Sequence, residues 1–206
     1  MNQKMSTDDN TGRWPPKQNE MPDLSAFNRK LILGVTLNVF FRRGGPRDYH
    51  AQALWKNYIR LADQLVWEYT SAREALQEFV DTPPNTLSPL FRCIAHMETC
   101  INTMRRAILY ARRMRRHQAS PQIDKLKVLS GDAGDRLIDL RNAIEHLESS
   151  ILKGEISQGE PTTLMVQSDR VELANITIYY SELSEWAIEL HSLAEELVDY
   201  QEPENT

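Results

Sequence analysis

The chain has 206 residues, 24 Lys+Arg against 29 Asp+Glu, a formal net charge of -5 and 41% hydrophobic residues. That length fits one domain with a tail better than two full domains. The hydrophobic fraction excludes a wholly disordered chain, and the acidic balance excludes a surface that coats nucleic acid everywhere, though not a local basic patch.

Residues 1–27 read as a disordered polar tail, with Trp14-Pro15-Pro16 and Pro22 but no apolar period. Met1 to Asn10 lack the apolar core of a secretory signal. Residues 28–47 form a short ordered lead-in that reads equally as strand or helix. Its apolar stretch, Leu31 to Phe41, is too short and interrupted to span a bilayer. No membrane partner and a cytoplasmic location are therefore expected. Gly44-Gly45-Pro46 breaks the chain.

A helical domain is expected over residues 48–200. Leu54, Tyr58, Leu61, Leu65, Ala72, Leu76 and Phe79 follow steps of three and four, the apolar stripe of a long helix stopped near Asp81-Thr82-Pro83-Pro84. Leu90, Ile94, Met97, Ile101, Met104, Ile108 and Ala111 predict a second, starting near Ser88-Pro89. Cys93 and Cys100, the two cysteines, read as small buried thiols, not a disulfide or a zinc site. A short helix over 122–129 is followed by a third long helix capped by Asp135. It carries Leu137, Leu140, Ile144, Leu147 and Ile151, with Gly154 as its stop. Residues 164–166 and 171–173 predict a small hairpin. An acidic last helix carries Leu183, Trp186, Leu190, Leu193 and Leu197. The fold class is all-α: a bundle of four to five helices with a small β-hairpin before the last. Trp55, Trp67 and Trp186 read as core or dimer contacts.

The chemistry concentrates on the third long helix, in Arg141-Asn142-Ala143-Ile144-Glu145-His146. Asn142 and His146, four apart, share a face roughly 160° from the apolar stripe, so His146 is not a core histidine. An imidazole titrates near neutrality and can move a proton. A guanidinium can hold a phosphate and offset charge developing on its oxygens. A polar amide can orient either partner. The set suits cleavage of RNA by its own 2′-hydroxyl, which needs no metal or other cofactor. Glu145 can pair with Arg141 at i,i+4 and is an accessory residue. Arg112 and His117 repeat the spacing within an arginine run, but no Asn follows the Arg, and the match is read as a decoy.

Arg-Asn-x-x-x-His on the third long helix of a bundle resembles the HEPN family, whose signature is Arg, a polar residue and then His. The resemblance covers roughly residues 48–200. It implies an all-helical domain that dimerises, with Arg and His of both protomers facing one cleft. Many members are metal-independent endoribonucleases of toxin–antitoxin and phage-defence systems. Carried over, Arg141, Asn142 and His146 form the catalytic set, RNA is the substrate, and an antitoxin or regulatory protein is a further partner. The alternative is a non-catalytic module of the same fold that binds protein or RNA as a regulator.

Charge is segregated along the chain. Arg105, Arg106, Arg112, Arg113, Arg115 and Arg116 crowd twelve residues, whereas 182–204 carry eight acids and no Lys or Arg. Arg105, Arg106, Arg112, Arg113 and Arg116 are the candidate RNA-binding residues. The competing reading has them neutralised by the acidic last helix.

Overall fold

The first long helix, α1 (Tyr49–Asp81), starts where the extended Asp48 accepts a hydrogen bond from the Ala51 N–H through Oδ1, at 2.7 Å. That satisfies one of the donors a helix start leaves orphaned. It ends at Thr82, whose extended backbone (φ -92, ψ 143) is the one favoured before a proline, here Pro83. A computed structural model supplies the coordinates; it describes residues 15–27, 31, 34–35, 44–82, 86–116, 126, 132–156 and 161–200. Among these, α1 is joined by three further long helices, α2 (Ser88–Arg116), α3 (Ala133–Leu152) and α4 (Tyr180–Val198). A three-stranded antiparallel sheet precedes α4: β1 (Met165–Val166), β2 (Arg170–Leu173) and β3 (Ile176–Tyr179), in that spatial order. The class is an all-α bundle with a small sheet before the last helix. None of these helices is long and apolar enough to cross a membrane.

The apolar stripes read from sequence form the core. All seven α2 positions are buried, as are Tyr58, Leu61, Leu65, Ala72 and Leu76 of α1 and the five α4 positions. Cys93 and Cys100 are free and buried, and burial pushes the Cys93 thiol up to about 12. α1 is stitched to α4 by more than apolar contact. The Trp55 indole donates to the Leu197 carbonyl at 2.9 Å and the Tyr58 hydroxyl to that of Leu190 at 2.8 Å. Gly45 closes over Trp55. It sits at φ +83, donates to the Tyr200 carbonyl at 2.7 Å, and a Cβ there would meet the indole at 3.2 Å.

In its backbone elements the structure departs from the sequence reading at three places and decides a fourth that the sequence left open. Residues 15–27, expected in the tail, pack on the bundle: Met21 and Leu24 are buried, and the Glu20 N–H donates to the Ser168 carbonyl at 2.9 Å. Two anchoring apolar side chains are too few to make a periodic signal. Leu31, Gly34 and Val35 are helical, which decides those positions of the lead-in. α3 is entered from Asp132, not Asp135. Asp132 presents its carbonyl to the Asp135 and Arg136 N–H groups, while its carboxylate pairs with Arg136 at 3.3 Å. The hairpin gains a third strand, β3, paired Val171 to Ile178, through a tight turn at Ala174 and Asn175. Both turn residues have positive φ, and without glycine they gave no turn signal. The short helix expected over 122–129 lies outside the described residues, apart from Leu126, which is buried.

The Trp55 contact predicts a large single-site effect. Trp55→Ala should cost about 3–5 kcal/mol of unfolding free energy, read from guanidinium denaturation, because it empties a core site and strands a buried carbonyl.

Candidate functional site

α3 is anchored at its N-terminal end. Leu137 and Leu140 are fully buried, and Arg136 makes a two-point ion pair with Glu182 of α4, Nη2 to Oε1 at 2.5 Å and Nη1 to Oε2 at 3.2 Å. The Arg136 guanidinium also lies 5.9 Å from the centre of the Trp186 ring. The hydrogen bond from Arg136 holds the Glu182 carboxyl below its ordinary range, aided by the Tyr179 N–H. Beyond Leu140 no α3 residue is buried. Ala143, Ile144 and Leu147 are half-covered, Ile151 is 46% exposed and Leu152 81%. The stripe expected to run on through Ile151 therefore reaches the core only in its first half. Gly154, at φ +68, ends the helix as expected, its N–H donating to the Ile151 carbonyl.

The polar face of this projecting half carries the residues singled out in the sequence. Arg141 is half-buried. Its Nη1 donates to the Asn142 side-chain oxygen at 3.2 Å, and its Nη2 forms an ion pair with Glu145. Arg141, Asn142 and Glu145 are thus brought together. His146 is exposed and makes no hydrogen bond or ion pair with a described residue. None of these four lines the cavity of about 520 Å³ between α3 and the β2–β3 turn, whose walls include Ala143, Leu147, Ser150, Ile156, Leu173 and Asn175. That cavity lies on the other side of α3 from Arg141. It was invisible in sequence because its walls come from separated segments.

The basic run divides over two flanks of α2. Arg105 and Arg112 are half-buried; Arg106, Arg113 and Arg116 are exposed. None of these five makes an ion pair with a described residue, and Glu182 of the acidic helix is committed to Arg136. His117, the decoy, lies outside the described residues. Among the described residues no three His, Cys, Asp or Glu side chains group as metal ligands would.

Trp55 and Trp186 are buried, but Trp67 is 51% exposed, which corrects the core half of its reading as a core or dimer contact. At 100° per residue it lies about 150° from the centre of the α1 stripe, so helical arithmetic alone could have placed it outside. Its ring meets that of His96 edge-on at 5.7 Å between centroids. His96 Nδ1 lies 2.8 Å from the buried Glu68 carboxylate, a pairing across two helices that no sequence spacing reveals.

Comparison of the chain with protein-family models, with curated proteins and with solved structures returned no match.

The Arg136–Glu182 pair predicts a pH dependence. The folded-state carboxyl titrates below its ordinary value, so its contribution is present above that value and lost as pH falls through the lowered one. Glu182→Gln should be less stable than the parent at neutral pH. The difference should shrink towards zero in denaturation curves taken at progressively more acid pH.

Proposed function

We propose that the protein is a metal-independent endoribonuclease that works as a homodimer. Arg141, Asn142 and His146 are its catalytic set, in the manner of a HEPN-like toxin or phage-defence effector. The observation that carries this reading is the solvent-facing cluster on α3. The Arg141 guanidinium is in contact with the Asn142 amide, and Asn142 lies one turn from the exposed His146 imidazole, which has no described partner. The uncovered apolar edge at Ile151 and Leu152 supports the dimer, since it offers a second copy a surface continuous with the cluster.

In this reading one imidazole takes the proton of the 2′-hydroxyl, and the 2′-oxygen attacks the adjacent phosphorus. The bond from phosphorus to the 5′-oxygen breaks, and a protonated imidazole from the second protomer supplies the leaving oxygen's proton. The products are a 2′,3′-cyclic phosphate and a 5′-hydroxyl. Arg141 binds the phosphate and offsets the charge that builds on its oxygens. An antitoxin or regulatory protein is a further partner in this reading.

One observation favours the alternative, a non-catalytic module that binds protein or RNA. Glu145 holds Arg141 in an ion pair and so competes with a phosphate for it. The two readings part in one assay. Wild-type protein incubated with mixed RNAs in EDTA should yield cyclic-phosphate ends. His146→Ala should lower the rate by roughly 10²–10⁴-fold, the usual contribution of a general acid–base group. Glu145→Gln should raise it by releasing Arg141. Equal cleavage by wild type and His146→Ala, or none by either, would leave the non-catalytic module. Leu152→Glu should shift the sedimentation coefficient of the protein from dimer towards monomer and lower cleavage with it.

A further inference from the structure

α1 and α2 run antiparallel in a register fixed by three contacts. Arg113 and His50 share a hollow at one end, Glu68 meets His96 towards the other, and Glu78 pairs with Arg92 at 2.6 Å beyond it. The solvent side of this seam has an unusual composition. On α1, Tyr49, Lys56, Arg60 and Trp67 are spaced seven, four and seven residues apart, which returns them to one face of the helix. Tyr49 is 76% exposed and Trp67 51%. Across the seam, α2 offers Arg106, Tyr110 and Arg113. Tyr110 and Arg113, with His50, Ala53, Leu54 and Asn57, line a shallow hollow of about 450 Å³.

The charge along this seam has one sign. Among the described residues Lys56 and Arg60 reach only the side-chain oxygens of Gln52 and Gln64, each at 3.3 Å, and Arg106 and Arg113 make no ion pair. Each carboxylate on the two facing stretches is turned aside or already used. Asp63 accepts from the Leu31 N–H and lies 3.8 Å from His191. Glu68 is buried against His96. Glu98 lies about 80° round α2 from Arg106. The result is a line of cations between two exposed aromatic rings, roughly 27 Å long at 1.5 Å per helical residue.

We propose that this seam is a track for single-stranded RNA, in which Tyr49 and Trp67 stack bases while Lys56, Arg60, Arg106 and Arg113 contact phosphates. Cations that follow a backbone, interleaved with rings that accept any unpaired base, are the physical requirements of single-strand binding. A duplex keeps its bases inside and cannot use the rings. The track contains none of Arg141, Asn142 and His146. Only the choice of RNA over DNA rests on the endoribonuclease reading.

The test uses full-length His146→Ala protein in EDTA, so that the probe stays intact. The probe is a labelled oligouridylate of about 12 nucleotides, within the site sizes of single-strand binders. Trp67→Ala and Tyr49→Ala should each weaken binding by on the order of ten-fold, in line with the loss of one stacked base. Arg106→Gln with Arg113→Gln should flatten the slope of log Kd against log salt by roughly 1.4, the release expected for two phosphate contacts on a single strand. All four substitutions are at surface positions, and circular dichroism checks that the fold is kept. Unchanged binding in the aromatic variants would overturn the track, as would equal affinity for duplex RNA. Equal affinity for oligothymidylate would overturn the assignment to RNA. Track-dependent binding by a parent protein that cleaves no RNA would support the track and overturn the endoribonuclease reading alone.

Discussion

The bundle depends on the seam between α1 and α4. Trp55 and Tyr58 project from successive turns of α1, bury their rings completely and place their polar ends on α4 carbonyls at Leu197 and Leu190. A ring of this size contributes mainly through burial, but the hydrogen bond fixes where along α4 it must sit. The register of α1 on α4 is therefore set by two directional contacts as well as by shape. Gly45 completes the arrangement by bringing the preceding backbone flat against Trp55 and tying it to Tyr200. α2 then lies along α1, and the sheet and α3 fill the remaining side.

The parts of this fold legible in sequence were those written locally. The stripes of α1, α2 and α4 are periodic over many turns, and burial follows them at every position but Leu54 and Phe79, which are partly buried. Gly154 was legible because a left-handed helix stop favours glycine. What escaped was written in pairs of distant residues or in unusual local chemistry. β3 follows a turn made by Ala174 and Asn175 where glycine would have announced it. The docking of residues 15–27 relies on Met21, Leu24 and backbone groups, none of which makes a pattern. Asp135 looked like the cap because a Gly-rich stretch precedes it, yet the helix begins two residues earlier and Asp135 falls in its first turn.

The candidate site was partly legible for the same reason. Arg141 and Glu145 stand four apart on a helix, so their pairing follows from sequence alone. So does the exposure of His146, because its face opposes the stripe. The half-uncovered state of α3 did not follow, since Ile144, Leu147 and Ile151 look like core residues in any single-helix reading. Only the limited reach of the sheet and α2 beneath them shows that they are not enclosed. The charge pattern sharpened in a similar way. A total of -5 conceals a basic run on α2, in which Arg105, Arg106, Arg112, Arg113 and Arg116 make no ion pair with a described residue, while Glu182 of α4 is spent on holding α3 in place.

That division of labour gives α3 the mechanics of a cantilever. Arg136, Leu137 and Leu140 clamp one end, and the half bearing Arg141, Asn142 and His146 projects past the clamp. His146 is ten residues beyond Arg136, about 15 Å along the axis. At that lever arm a tilt of about 4° at the clamp moves the imidazole-bearing end by about 1 Å. Ala143, Ile144 and Leu147 still rest against the core along one flank, so the tip at Ile151 and Leu152 is held from one side alone.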